Sequence, residues 1–300
     1  MGCGTWTASS WTGYSTARGI DKGTTSTIYK SRTIDNRFDP KGVTYREACD
    51  SAEHPNSTPI VIGLDVTGSM SGVLETVVKK LGDTMTNILE RKPVTDPQIM
   101  FAAFGDTECD DYPLQVTQFE SDIRIAEQLT SIYFEKGGGG NSGESYTLPW
   151  YFAARHTKTD NYDKRGKKGF IFTIGDEDYL RNLTKEDIKE FVGDDVQDDM
   201  TAEEILAEVS RKYEVYHLIV DPSPYEPVEE SWKKLLGANA VIVQDIDKIP
   251  EVIVSILELH AGKTADEVAD SWDGSTALVV KDAIKGLAVT KANTELVEFN

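Results

Sequence analysis

Cysteine is scarce in this chain and cations are outnumbered: there are three Cys, and 31 Lys and Arg stand against 51 Asp and Glu, a formal charge of −20. Cys3, Cys49 and Cys109 are odd in number and widely spaced, which excludes a disulfide scaffold and a thiolate metal site and fits reduced thiols in a cytoplasm. His54, His156, His217 and His260 share no metal-ligand spacing, and His217, inside an apolar run, reads as a core histidine. Long apolar runs are also missing. The longest, such as 251–259, are core-sized, so no membrane span is expected. The start, Met1-Gly2-Cys3-Gly4-Thr5-Trp6, has no basic-then-apolar leader pattern, and Trp6 stands where a myristoylation motif requires Ser or Thr. Neither a Gly-x-Ser-x-Gly elbow nor a supported Cys–His pair occurs, so nucleophilic catalysis has no signal and a non-enzymatic role is expected. The negative charge repels phosphates over most of the surface and argues against nucleic-acid or anionic-membrane partners.

The charge is unevenly spread. Residues 1–50 carry seven cations (Arg18, Lys22, Lys30, Arg32, Arg37, Lys41, Arg46) and five acids (Asp21, Asp35, Asp39, Glu47, Asp50), a net of +2, which leaves −22 for the remainder. Residues 1–58 are rich in Ser, Thr and Gly with scattered aromatics (Trp6, Trp11, Tyr14, Tyr29) and no sustained period. They read either as an arm packed over the body by its aromatics or as a disordered tail, with a short helical turn around 44–49.

From residue 59 onward, apolar strands alternate with amphipathic helices. Strands are expected at 60–65, 98–104, 169–174, 215–220 and 240–243, with a short edge strand at 114–119. Helices are expected at 72–91, where Val73, Val77, Leu81, Met85 and Leu89 recur every four residues, and at 121–134 with Ser121 as N-cap, 143–157, 231–236 and 250–260. Residues 178–212 read as an acidic insertion of two helices, opened by Thr184 with Asp187 and by Thr201 with Glu204. Beyond Gly262 a tail of weak helices adds little core. The alternation predicts an α/β, Rossmann-like doubly wound fold: a mainly parallel central sheet flanked by helices. The division is an N-terminal arm (1–58), a central domain (59–260, including the insertion) and a C-terminal tail (261–300).

The chemistry gathers where the first buried strand ends, at Asp65-Val66-Thr67-Gly68-Ser69-Met70. Open α/β sheets bind ligands at the carboxyl ends of their strands. Oxygen donors at i, i+2 and i+4 suit a hard divalent ion, while the bland alternative is a loop whose Asp and Thr cap the next helix. Two more loops end in polar residues at comparable places: Gly137-Gly138-Gly139-Gly140-Asn141-Ser142-Gly143-Glu144 and Gly175-Asp176-Glu177.

Asp-x-Thr-Gly-Ser-Met after an apolar strand resembles the first motif of von Willebrand factor A (vWA) domains, which carry a metal-ion-dependent adhesion site (MIDAS). The resemblance covers roughly residues 59–260. It implies that Thr67 and Ser69 give hydroxyls to the metal, that Asp65 binds through water, and that Asp176 is the distal carboxylate. Asp106, ending the second strand, and Glu177 would stand beside the ligands. The residue aligned with the family threonine is Gly140, which leaves Asn141 or Ser142 as the second-loop ligand. The ion implied is Mg²⁺, with Mn²⁺ or Ca²⁺ as alternatives. The partner implied is an acidic residue of another protein, in a setting such as an AAA+ ATPase of the MoxR type or a stress or defence assembly.

Three rival readings differ at named residues. A phosphate loop over 138–145 would need a lysine where Glu144 stands, and a carboxylate there repels phosphate, so no nucleotide is expected. A haloacid-dehalogenase-type phosphatase also starts from an Asp at the end of the first strand, but it needs a second Asp where Thr67 stands, although Asp176-Glu177-Asp178 imitates its later acids. A scaffold with a degenerate metal site is the third.

Overall fold

In a computed structural model of the chain, residues 4–135, 143–220 and 227–287 are described. Six strands form the central sheet: β1 (Thr58–Asp65), β2 (Pro97–Phe104), β3 (Leu114–Val116), β4 (Gly169–Gly175), β5 (Tyr213–Val220) and β6 (Ala240–Val243). Their spatial order is β6-β5-β4-β1-β2-β3, parallel except for β3, which runs antiparallel to β2. Every residue of β1, β2 and β4 is buried, as continuous apolar runs require when helices cover both faces. The pleat divides β1 between two cores. Ile60, Ile62 and Leu64 join Val73, Val78, Met85 and Val252 on one face, while Val61 joins Met100, Phe104, Trp150 and Trp232 on the other. The architecture is α/β and Rossmann-like. Among the described residues, no helix is long and apolar enough to cross a membrane.

Several elements differ from the sequence expectation. The segment 72–91 is two helices, Ser71–Lys79 and Leu81–Arg91, broken at Lys80. Just past the break, the indole of Trp11 occupies the space a Cβ at Gly82 would fill, so the arm packs directly on the second helix. The expected helix over 121–134 is confined to Arg124–Leu129. Ser121 is not its cap, because its hydroxyl donates to Gly4 O at 2.6 Å, and Asp122 instead accepts from Arg124 N at 3.0 Å.

The expected turn at 44–49 is a strand, Arg46–Ala48, paired in parallel with Thr157–Thr159. Extended backbone lets the buried Arg46 guanidinium donate to Val116 O, at 2.9 Å, and to Arg37 O. The arm is integral to the core: Trp6, Ile20, Ile28, Tyr29 and Phe38 are buried, and Val116 N donates to Phe38 O at 2.8 Å, covering the outer edge of β3. The tail adds more core than its sequence promises, for Val268, Val280, Ala283 and Ile284 are all buried against the helix Ile249–His260 and its neighbours. In the insertion, Thr184 and Thr201 both cap as expected, but the first helix, Lys185–Asp187, continues as a π-helical turn, Ile188–Val192, that buries Ile188 and Val192.

Candidate metal centre

Asp65 is the last residue of β1, and its carboxylate organises the turn that follows. Thr67 donates twice to Asp65 Oδ1, from its backbone N at 2.9 Å and from Oγ1 at 2.6 Å. Val66 N is tied to Phe104 O at the end of β2, at 2.9 Å, so the loop cannot drift from the sheet. A short 3₁₀ turn, Gly68–Met70, then leads into the helix Ser71–Lys79 and brings Ser69 Oγ to 3.5 Å from Thr67 Oγ1. Ser69 Oγ donates to Asp176 Oδ1 at 3.3 Å, one residue past the end of β4.

Four residues expected at the site, Asp65, Thr67, Ser69 and Asp176, thus form one linked group across the carboxyl ends of β1 and β4. That is the point where the strand order reverses, and ligands of doubly wound sheets bind in the crevice there. The group grades from the interior to the surface: Asp65 is 0% exposed, Thr67 is 3% exposed, and Ser69 is exposed.

Residues 144–146 complete this corner from the far side. Glu144 N donates to Asp178 O at 2.9 Å, Leu180 N donates to Glu144 O at 3.0 Å, and Ser145 N donates to Gly105 O at 3.1 Å. The three-residue segment is therefore stitched between the loops that follow β2 and β4. Tyr146 reaches furthest in: its hydroxyl donates to Asp65 Oδ2 at 3.2 Å and accepts from Glu177 N at 3.3 Å. Its ring packs on Phe104, His217 and Trp232 at centroid distances of 4.7, 5.0 and 5.1 Å. Gly175 is required by this arrangement, since a Cβ there would lie 2.0 Å from the Tyr146 hydroxyl oxygen.

Asp106 is buried at the start of the acidic turn, where its N donates to Asp110 Oδ2 at 2.8 Å and its Oδ1 accepts from Glu108 N at 2.9 Å. Glu177 contributes through its backbone, whose carbonyl accepts from Trp232 Nε1 at 3.0 Å. His217 is a core residue, as expected, but only one of its nitrogens is satisfied among the described residues: Nδ1 lies 3.0 Å from Thr173 Oγ1, and Nε2 has no partner. Burial depresses its pKa and keeps it neutral, stacked 3.6 Å from Trp232.

Electrostatically the corner is one-sided. Burial, assisted by the charge of Asp176, pushes the Asp65 carboxyl up to about 7 despite its hydrogen bonds from Thr67 and Tyr146. Glu144 is 4% exposed, and its Oε2 has no hydrogen-bond partner among the described residues. Burial, then the charges of Asp65, Asp106, Glu177 and Asp110, push it up to about 10. Burial and the charges of Asp65 and Asp176 also hold the Tyr146 hydroxyl in its protonated, donating form. The charges acting on Asp65 and Glu144 all belong to carboxylates.

Among the described residues, no three His, Cys, Asp or Glu side chains converge as a metal cage. The group found here joins two carboxylates to two hydroxyls. Asn141 and Ser142, with the glycines before them, lie outside the described residues. Tyr146 was not legible as a site residue in the sequence, because its position at the head of a helix gave it an ordinary core role. Glu144 was legible only as the wrong charge for a phosphate loop.

No protein-family model matches the chain, and no curated protein sequence does. Among solved structures, two crystal structures of the pilus adhesin SpaC from Lactobacillus rhamnosus GG, one in an open conformation, are similar to it at 12% and 13% identity, with TM-scores of 0.45 and 0.46. In both cases the match covers 71% of this chain and 30% of the adhesin, so the chain spans about a third of the protein it matches.

Proposed function

We propose that the chain is a vWA-type module that holds a divalent cation at the Asp65 corner and binds an acidic residue of another protein through it. The observation that carries this reading is the linked group Asp65–Thr67–Ser69–Asp176 at the reversal of strand order. The donor set suits Mg²⁺: it consists of oxygens alone, two from neutral hydroxyls and the rest from carboxylates. Thr67 Oγ1 gives its proton to Asp65 and Ser69 Oγ gives its own to Asp176, which leaves the hydroxyl lone pairs for a cation. Asp65 and Asp176 would orient these hydroxyls, and the second-loop donor of the family pattern would come from Asn141 or Ser142.

When bound, the ion supplies a positive centre with a coordination position for a partner's carboxylate. The surrounding acids repel such a carboxylate everywhere else, which makes recognition depend on the metal. The same acids disfavour a phosphate ligand.

The test is calorimetric titration of the full chain with MgCl₂ and MnCl₂, beside Asp65→Asn and Ser69→Ala. Saturable binding by the parent chain, lost in Asp65→Asn and weakened in Ser69→Ala, is expected. Sustained Mg²⁺-dependent turnover of a generic phosphomonoester, abolished by Asp65→Asn, would instead establish the phosphatase reading.

A further inference from the structure

The least expected group in the molecule is Glu144. Its backbone is fixed on both sides, by Asp178 O and Leu180 N toward β4, and through the adjacent Ser145 by Gly105 O toward β2. The side chain therefore has little freedom to swing out to water, and only 4% of the residue is exposed. Oε2 is buried with no hydrogen-bond partner among the described residues. The charged groups that act on it, Asp65, Asp106, Glu177 and Asp110, are all acids. A buried carboxylate oxygen without a donor or a counter-charge is unfavourable, and an arriving cation relieves that cost.

Nothing in the fold forces an acid at this position. The backbone bonds of residue 144 are main-chain bonds that any residue would make, and Gln has the same shape. The carboxylate therefore brings charge and no structural advantage that an amide would lack. The cation reading of the Asp65 corner supplies the missing partner. The link to that corner is short, since Tyr146, two residues on, bonds Asp65 Oδ2.

On the strength of that reading, we propose that Glu144 is an anionic member of the shell around the same cation site, facing the bound divalent ion through water, and that ion binding thereby raises the stability of the 144–146 seam. The metal-free chain carries a buried acid with no counter-charge between the ends of β2 and β4, and in the loaded chain the ion supplies that counter-charge. The module is then a metal-responsive element, whose seam between the loops after β2 and β4 is harder to open when the ion is present. Glu144 acts here on the ion and on the seam, and no reaction is assigned to it.

The experiment uses the full chain as parent, Glu144→Gln, Glu144→Asp and Asp65→Asn. Each is melted in EDTA and in excess MgCl₂, and each is titrated with MnCl₂ by calorimetry. Glu144→Gln is expected to melt higher than the parent in EDTA, to gain much less from MgCl₂, and to bind Mn²⁺ about tenfold or more weakly, the size of loss seen when groups supporting a metal site are removed. Glu144→Asp, which keeps the charge, is expected to recover part of the MgCl₂ stabilisation. A purely structural role for Glu144 predicts the opposite sign in EDTA, a lower melting temperature for Glu144→Gln. If Glu144→Gln binds Mn²⁺ with the parent's affinity while Asp65→Asn does not bind, the assignment of Glu144 fails and the cation site stands. If the parent itself neither binds nor is stabilised, both fail.

Discussion

Removing a single oxygen, by Tyr146→Phe, tests whether the buried corner is held as the structure shows. The ring stays in place on Phe104, His217 and Trp232, so no cavity larger than a hydroxyl is made and the transfer and packing terms stay small. Two hydrogen bonds are lost. Asp65 Oδ2 loses its donor and Glu177 N loses its acceptor. A buried polar group left without its partner costs about 1–3 kcal/mol, and Asp65 is 0% exposed while Glu177 is only half-buried. The carboxylate therefore carries most of the penalty, and the sum is about 2–3 kcal/mol. Urea unfolding in EDTA should show a lower midpoint with an unchanged slope. Combining Tyr146→Phe with Asp65→Asn should give a coupling energy of about 1 kcal/mol or more, because the two residues share a bond. Strictly additive single effects would mean that Tyr146 does not hold Asp65, and the account of the corner would be wrong.

Two further outcomes follow from the same physics. Asp65 has its folded pKa raised from 3.8 to about 7, and Glu144 from 4.5 to about 10, so both bind a proton more tightly in the folded chain. Their contribution to stability is therefore fully present below the unfolded values and lost as pH rises through the folded ones. In EDTA the urea midpoint should fall between about pH 5 and about pH 8, less steeply in Asp65→Asn or with MgCl₂ present, and a midpoint that rises across this window refutes the assignment. Far from the site, Arg91 makes paired contacts with Glu258 Oε1 and Oε2 at 3.1 and 2.8 Å, and the Glu258 side chain is 0% exposed. Arg91→Met should cost about 3 kcal/mol in the urea midpoint analysis, the low end for breaking a buried pair, because Lys263 also contacts Glu258. A loss under about 1 kcal/mol would show that the helices Leu81–Arg91 and Ile249–His260 are not held together through this pair.

The sheet was legible because its strands are buried on both faces. Runs such as Ile60–Val61–Ile62 and Phe170–Ile171–Phe172 can be nothing but interior, and the alternation with helical segments fixes their parallel pairing. What was not legible is whatever gains its structure from distant residues. Arg46 lies in a polar stretch and reads as a turn, yet it is extended because its guanidinium satisfies carbonyls at Arg37 and Val116. The arm's aromatics have no period because they are spent one at a time: Trp6 and Trp11 stack on each other at 5.8 Å, and Tyr29 packs near the helix Ser71–Lys79. Periodicity reports a regular face, and an irregular segment that buries isolated side chains leaves none.

The same distinction runs through the candidate site. Asp65, Thr67 and Ser69 were legible as a group because their contacts are local: the turn that ends β1 is made by the same oxygen-bearing side chains that stand out in the sequence at spacings of two residues. Asp176 was legible because strand ends converge in a parallel sheet, so an acid after β4 must meet one after β1 if the two strands are neighbours, and they are. Glu144 and Tyr146 obey neither rule. Their segment belongs to no strand, and it matters because it threads between two loops that are themselves separated by some seventy residues. The glycine requirement at 175 is the trace this threading leaves in the sequence, and it can be read only in reverse. A Cβ there is forbidden by a tyrosine 29 positions earlier, so the absence of a side chain at the end of β4 records the presence of one beneath Asp65.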